Sequence, residues 1–128
     1  MQGGISVDLF SNINIMNKAL DAAILKHDVI SNNISNADTP GYKRQDVAFE
    51  SLLLKEINKS GIKSINEERI TPTVYEDKKN YNYRMDENNV DIDAEMAEEA
   101  KVVARYNVLT VRATAQLSRF KTILQTLR

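Results

Sequence analysis

The strongest constraint on the fold is a regular apolar pattern at each end of the 128-residue chain. Between residues 8 and 34, apolar side chains recur at intervals of four and three residues. This spacing places them on one face of an α-helix, as in a coiled-coil seam. The N-terminal seam comprises Leu9, Ile13, Met16, Leu20, Ala23, His27, Ile30 and Ile34. A helix over this stretch extends about 40 Å at ~1.5 Å per residue.

The last third of the chain carries a similar pattern and a strong segregation of charge. Asp91 or Asp93 is suited to the N-cap of this second helix. Residues 86–99 contain seven acidic residues and no basic one, and residues 101–128 contain six basic residues and no acidic one. This order favours the helix macrodipole. The C-terminal seam comprises Met96, Val103, Tyr106, Thr110, Ala113, Leu117, Phe120, Leu124 and Leu127, with Glu99 as a polar exception.

Two long helices at opposite ends of one chain predict a mainly α fold, in which they pair as an antiparallel coiled-coil hairpin. We divide this single structural domain into an N-terminal coiled-coil helix (residues 1–35), a middle region (36–90) and a C-terminal coiled-coil helix (91–128). Small and polar residues dilute both seams. We therefore expect the remaining apolar surface to be buried between subunits.

The middle region gives weaker signals. Residues 47–57 predict a short helix with Phe49, Leu52, Leu53 and Ile57 on one side. The stretches TPTVYED and YNYRM favour short strands, although a loop without regular structure fits residues 58–89 equally well.

The segment SNNISNADTPGYKR, residues 31–44, interrupts the first helical pattern. Asn and Asp side chains bond to nearby backbone, and a Pro-Gly pair fits the centre of a type II turn. The segment therefore predicts a connector of defined shape after the first helix. We expect Lys43 and Arg44 to be either a solvated pair or a contact to a neighbouring subunit, because two basic residues are too few for a nucleic-acid site.

Composition and motifs argue against catalysis and cofactor binding. The net charge of −1 gives no sign of nucleic-acid binding, and the absence of cysteine excludes disulfides and thiolate metal sites. No run approaches the ~18 apolar residues of a membrane span, and the N-terminus does not have the pattern of a secretory signal peptide. The lone His27 is expected to pack on the seam. The sequence therefore predicts no enzyme, and no catalytic, cofactor-binding or metal residue.

An apparent calcium loop beginning at Asp91 is better interpreted as helix capping. The EF-hand pattern requires glycine at its sixth position and glutamate at its twelfth, and these positions hold Met96 and Val102.

Two segments resemble a known family. Residues 31–44 resemble the N-terminal signature of the bacterial flagellar axial proteins, (S/A)NN(I/L)(S/A)N-x-(D/N)T-(P/T)-GY(K/R). Residues 88–97 are similar to the NNVD-(L/I)-D-x-E-M-A motif at the start of that family's C-terminal helix. The residues carrying the first match include Asn32, Asn33, Asn36, Asp38, Thr39, Pro40, Gly41 and Tyr42. Those carrying the second include Asn89, Val90, Asp91, Asp93, Glu95 and Met96.

The resemblance implies a structural subunit of the flagellar basal-body rod. NADTPGYK followed by FESLL at residues 49–53 is most similar to one of the two short proximal rod proteins, and the other, FlgC, is an alternative. The family's terminal helices form a tube around the export channel, and the rod crosses the periplasm and carries torque. Implied partners are further copies, FlgC, FlgF, the MS-ring-to-rod adaptor FliE and the flagellar type III export apparatus, which exports family members without a cleaved signal peptide.

A hypothesis from another class is a soluble helical-hairpin adaptor or export chaperone that does not polymerise. Such a protein should melt cooperatively as a compact monomer or dimer, whereas an isolated rod subunit should have protease-sensitive termini.

Overall fold

The computed structural model describes residues 4–78 and 85–127. The chain forms the helix α1 (Gly4–Ser35), the strand β1 (Gln45–Ala48), the helix α2 (Glu50–Ser60), the strand β2 (Thr73–Glu76) and the helix α3 (Ile92–Thr126). Two short 3-10 turns, Ile62–Ser64 and Glu67–Ile70, connect α2 to β2. The predicted mainly α architecture, with long helices at both ends and a middle region containing short strands, is confirmed.

The two long helices pack against each other in antiparallel directions. Lys26 on α1 contacts Glu98 on α3 at 3.5 Å between Nζ and Oε2. Toward the other end of the pair, Met16 lines the same groove as Arg112 and Arg119. Residue numbers therefore rise along α1 as they fall along α3. Ala23, Ile30 and Val102 form the buried core between the helices, and Ile34 packs against it.

The side of α3 that is buried against α1 differs by one position from the predicted C-terminal seam. Glu95 and Val102, seven residues apart, are buried, whereas their neighbours Met96 and Val103 are exposed. Leu117, Leu124, Leu127 and Tyr106 are exposed too. The apolar pattern missed this offset because it treats Glu95 as a surface residue. Contact of the exposed seam residues with other subunits stays a prediction.

Helix α1 packs on a second cluster with the face next to the one that contacts α3. Its Ala22 is buried with Phe49 at the start of α2 and with Ile70 at the end of a 3-10 turn. Ile15, Ala19, Leu53 and Ile65 surround this second core. The adjacent alanines at 22 and 23 present small side chains to both cores, so α3 and the middle region pack on neighbouring faces of one helix.

The helix predicted for residues 47–57 begins later, at Glu50, because its first residues join a sheet. In the antiparallel pair β1–β2, Val47 is opposite Val74 and Ala48 is opposite Thr73. The β-branched pair favours extended backbone. The strand predicted in TPTVYED corresponds to β2. The second predicted strand, YNYRM, falls mainly on residues 81–84, which lie outside the described residues. The side chains of residues 1–10, including that of the predicted seam residue Leu9, also lie outside the description.

Within residues 4–78 and 85–127, each helix is either too short or too polar to cross a bilayer.

Shortening Ile30 tests the core between the helices. We expect Ile30→Ala to lower the free energy of unfolding by about 2–4 kcal/mol, because it removes a fully buried side chain and leaves a cavity. Ile24→Ala is the matched control on the same helix, since Ile24 is 49% exposed, and it should cost less than about 1 kcal/mol. Urea unfolding followed by circular dichroism measures both. Equal losses would contradict the packing of Ile30 against Val102.

Candidate functional site: the junction of the two signature segments

The structure brings together the two segments that carry the family resemblance. The backbone N–H of Gly41 donates to the carbonyl of Asp86 at 2.7 Å. The side-chain amide of Asn88 donates to the carbonyls of Asn36 at 2.9 Å and Thr39 at 2.8 Å. Residues 31–44 and 86–95 are therefore one hydrogen-bonded unit, which we call the motif junction. It lies where α1 ends and α3 begins.

A tight turn at residues 39–42 shapes the first half of the motif junction. The N–H of Tyr42 donates to the carbonyl of Thr39 at 3.2 Å, closing a four-residue turn around Pro40 and Gly41. Gly41 has a φ of 73°, as a type II turn requires at its third residue, and this conformation is unfavourable for residues with a Cβ atom. After the turn the chain returns to α1, because the backbone of Gln45 bonds to the side chain of Asn33.

The end of α1 is tied to this turn by side-chain amides. The amide nitrogen of Asn36 donates to the carbonyl of Asn32 at 2.8 Å, and the Thr39 hydroxyl donates to the side-chain oxygen of Asn36 at 3.2 Å. The amide of Asn32 makes a long contact of 3.4 Å to the Tyr42 hydroxyl. These contacts link the last turn of α1 to the residues on both sides of Pro40 and Gly41.

Asn33 is completely buried and uses all the hydrogen-bonding capacity of its side chain. Its Nδ2 donates to the carbonyl of Gln45 at 2.8 Å and to Oε2 of Glu95 at 3.3 Å. Its Oδ1 accepts from the Tyr42 hydroxyl at 3.0 Å and from the N–H of Gln45 at 2.9 Å. Asn33 thus joins α1 to the turn, to β1 and to α3. Only an amide offers two donors and two acceptor positions in this arrangement.

Arg44 neutralises the buried carboxylate of Glu95, whose side chain is 2% exposed. Its Nε donates to Oε1 of Glu95 at 2.6 Å, and its Nη1 pairs with Asp77, just after β2. Burial by itself would lower the pKa of Arg44, but the hydrogen bond and charge of Glu95, aided by Asp77 and Asp46, outweigh it and raise the pKa. The guanidinium therefore stays charged where an uncompensated carboxylate would be costly.

Backbone contacts complete the attachment of the second signature. The N–H of Arg44 donates to Oδ1 of Asn89 at 2.6 Å, and Nδ2 of Asn89 donates to the carbonyl of Asp77 at 2.9 Å. Val90 is buried, and its N–H donates to Oδ1 of Asn88 at 2.8 Å. Of the two N-cap candidates, Asp91 takes the position and accepts from the N–H of Ala94 at 3.2 Å.

Some predicted motif residues lie at the surface. Asp38, Pro40, Asp93 and Met96 are exposed. Conversely, the roles of Arg44 and Asp77 in the motif junction were missed. Glu95 lies one helical position from the apolar seam, and this position could have indicated its partners. A carboxylate that is buried in a helix interface requires a positively charged or hydrogen-bonding partner.

The motif junction fixes geometry and shows no constellation for catalysis. The described part of the chain contains no group of three or more His, Asp or Glu side chains that could hold a metal ion. The polar side chains of the motif junction bond to one another, to β1 at Gln45 and to Asp77 after β2. The cluster therefore determines how the hairpin of α1 and α3 is joined to the middle region.

Comparison with known proteins identifies the family of the chain. A family model described as flagella basal body rod protein matches residues 13–43. The flagellar basal body rod protein FlgB of Bacillus subtilis is 35% identical over 127 residues, which covers 92% of this chain and 97% of the relative. FlgB of Aquifex aeolicus is 30% identical over 125 residues, with 93% and 97% covered. The rod protein FlgG of Caulobacter vibrioides is 45% identical over 49 residues, 38% of this chain and 19% of that protein.

The chain therefore belongs to the flagellar basal body rod protein family, a family of structural proteins and not of enzymes. The relatives it matches over nearly their whole length are named FlgB, so the prediction of this short rod protein over the FlgC alternative is confirmed. The chain is a structural subunit of the flagellar basal-body rod and assembles there with other rod proteins.

Substituting Asn33 tests the central position of the motif junction. We expect Asn33→Asp to lower the free energy of unfolding by about 3 kcal/mol, because it removes both donated hydrogen bonds and sets a second carboxylate against Glu95. Asn32→Asp, on an exposed neighbouring residue, is the control and should cost less than about 1 kcal/mol. Chemical denaturation at neutral pH measures both. A tolerated Asn33→Asp would mean that the network does not stabilise the fold.

Stability at alkaline pH tests the contribution of the half-buried phenol of Tyr42. Burial, reinforced by the negative charge of Glu95, raises the pKa of Tyr42 above its usual value. The folded state therefore favours the neutral phenol. Its contribution to stability is present below the unfolded pKa of about 10 and is lost as pH rises through the folded pKa. Between about pH 9 and 11.5, the unfolding free energy should fall less steeply in Tyr42→Phe than in the unmodified chain. Parallel pH profiles would contradict this role.

Proposed function

We propose that the chain polymerises through α1 and α3 into the proximal part of the rod, forming a shaft that transmits torque and encloses the export channel. The observation that carries the proposal is the apolar stripe left exposed on α3. Its six large side chains have between 39% and 77% of their surface exposed. They are Met96, Val103, Tyr106, Leu117, Leu124 and Leu127. Burial of this stripe against neighbouring subunits would stabilise a polymer.

In the proposed assembly, the three parts of the chain have separate tasks. Residues 1–35 and 91–128 supply the helices of the tube, and residues 36–90 form an arm on its outer side. The motif junction holds the arm at a fixed angle through buried side-chain hydrogen bonds at Asn33 and Asn88. A torque-bearing subunit needs this rigidity, because a mobile connection would absorb the twist.

The resemblance of residues 31–44 and 88–97 to the axial proteins supports a finer placement within the basal body. The chain would lie next to FlgC and FlgF in the shaft that crosses the periplasm, and the adaptor FliE would join it to the MS ring. It would reach this position through the flagellar type III export apparatus without loss of a signal peptide. Cryo-electron microscopy of isolated basal bodies, with the side chains traced, tests this placement. Finding the chain away from the MS ring would overturn it.

Introducing charge on the exposed stripe tests the polymer. We expect Val103→Asp/Leu117→Asp to abolish motility in a strain lacking the endogenous gene, because two carboxylates would be buried between subunits. Its helical circular dichroism should change little, since both side chains are exposed in the single chain. The control, Ala104→Asp/Thr122→Asp, adds the same charge at exposed residues that lie about 100° or more around α3 from Val103 and Leu117. Normal motility of the first variant would contradict assembly through this surface.

A further inference from the structure

The end of the hairpin remote from the motif junction carries a basic groove. Arg112 and Arg119 are seven residues apart, so they lie on the same side of α3, two turns from each other. With Asn12, Met16, Ala115 and Gln116 they line a groove of about 330 Å³ between the long helices. Both arginines are exposed, and neither forms an ion pair or a side-chain hydrogen bond with a described residue. Among the residues whose side chains the structure describes, none neutralises these two positive charges.

The opposite end of the same hairpin is acidic. A cleft of about 370 Å³ beside the start of α3 is lined by five carboxylates and one guanidinium, that of Arg44. The carboxylates belong to Asp46, Asp77, Asp91, Glu95 and Glu98. Lys26 reaches Asp46 and Glu98 from α1, at 3.5 Å to each, and Lys101 reaches Glu98 at 2.8 Å. Among the described residues, these two lysines and Arg44 are still fewer than the five carboxylates. Asp93, exposed on the first turn of α3, adds to it.

We propose that the basic groove of one copy docks against the acidic start of α3 in the next copy. The proposal rests on the proposed function and names the contact that would orient the polymer. Charge complementarity selects the occupant, because each subunit carries a basic end and an acidic end on one rigid hairpin. The positions of Ala94 in the cleft and Ala115 in the groove are about 31 Å apart along α3, at ~1.5 Å per residue. One copy therefore cannot bring its own two ends together.

The electrostatic contact would give the polymer a direction, which the apolar stripe does not provide. Apolar burial is non-directional, so the stripe by itself does not distinguish parallel from antiparallel neighbours. Head-to-tail docking sets opposite charges against each other, whereas contact between two basic ends or two acidic ends sets like charges together. A heterologous contact of this kind leaves a free basic end and a free acidic end, so it propagates as an open helical filament.

Disulfide crosslinking tests the contact directly, because the natural chain has no cysteine. Ala94→Cys/Ala115→Cys is placed in a strain lacking the endogenous gene, and basal bodies are isolated from swimming cells and oxidised. Head-to-tail docking predicts a ladder of dimers, trimers and higher species, since each copy crosslinks at both ends. The control pair, Ala94→Cys/Ser60→Cys, should give no ladder. A single dimer band would indicate an antiparallel pair, and that result or the absence of crosslinks in swimming cells would overturn the proposal.

Charge reversal provides a readout that does not depend on cysteine. Arg112→Glu/Arg119→Glu should reduce the swimming fraction at least tenfold, whereas Lys55→Glu/Lys59→Glu, the same change of charge on exposed residues of α2, should leave it unaltered. Coexpression with Asp93→Arg/Glu98→Arg, defective by itself, should restore swimming, because the altered ends of the two variants complement each other. Melting temperatures of the purified chains confirm that each variant folds.

The outcomes distinguish failure of the charged contact from failure of polymerisation through the apolar stripe. Normal swimming of Arg112→Glu/Arg119→Glu, together with loss of swimming in Val103→Asp/Leu117→Asp, would overturn the charged contact and leave polymerisation through the apolar stripe intact. Normal swimming of both would contradict the proposed function as well. Failure of coexpression to restore swimming would also overturn head-to-tail docking.

Discussion

The structure depends on the compensation of one buried carboxylate. Glu95 lies in the first turn of α3, packed against α1, where an isolated negative charge would be strongly destabilising. Arg44 and Asn33 supply the charge and the hydrogen bond that make this burial possible. Because these partners come from the connector (residues 31–44) and from α1, the burial of Glu95 requires the connector to be folded. The same interaction therefore sets the register of the hairpin and the position of the middle region.

This polar cluster compensates for a thin apolar core. The buried core between α1 and α3 consists of Ala23, Ile30 and Val102, with Ile34 beside it, and many larger apolar side chains of α3 face outward. A core of this size leaves several helix registers similar in energy. The side-chain amide of Asn33 makes four hydrogen bonds, and these bonds favour one helix register. A shift of α3 by one residue would leave buried donors and acceptors without partners. The polar cluster thus contributes specificity where apolar packing contributes little.

A rod subunit benefits from this division of tasks. The shape of each subunit is determined by interactions internal to the chain, so every copy presents the same surfaces. In the proposed polymer, the apolar stripe and the charged ends would contact neighbouring subunits, and burial of the stripe would provide affinity while the charges would provide direction. Force passing along the shaft would meet a junction held by several hydrogen bonds between different elements.

The sequence by itself determined that both ends of the chain are helical, that a turn of defined shape follows the first helix, and which family the chain belongs to. Apolar periodicity locates a long helix reliably, because the helical pattern of α1 and α3 continues over about seven turns or more. The segment TPTVYED was readable as a strand from its β-branched and aromatic residues. Only the tertiary structure decided which side of α3 packs on α1 and that residues 45–48 form a strand. It also showed that Arg44 pairs with Asp77 beside the two signature segments. Those outcomes depend on which distant groups meet in space. Burial of Glu95 is favourable only beside Arg44 and Asn33, and β1 forms only because β2 lies next to it.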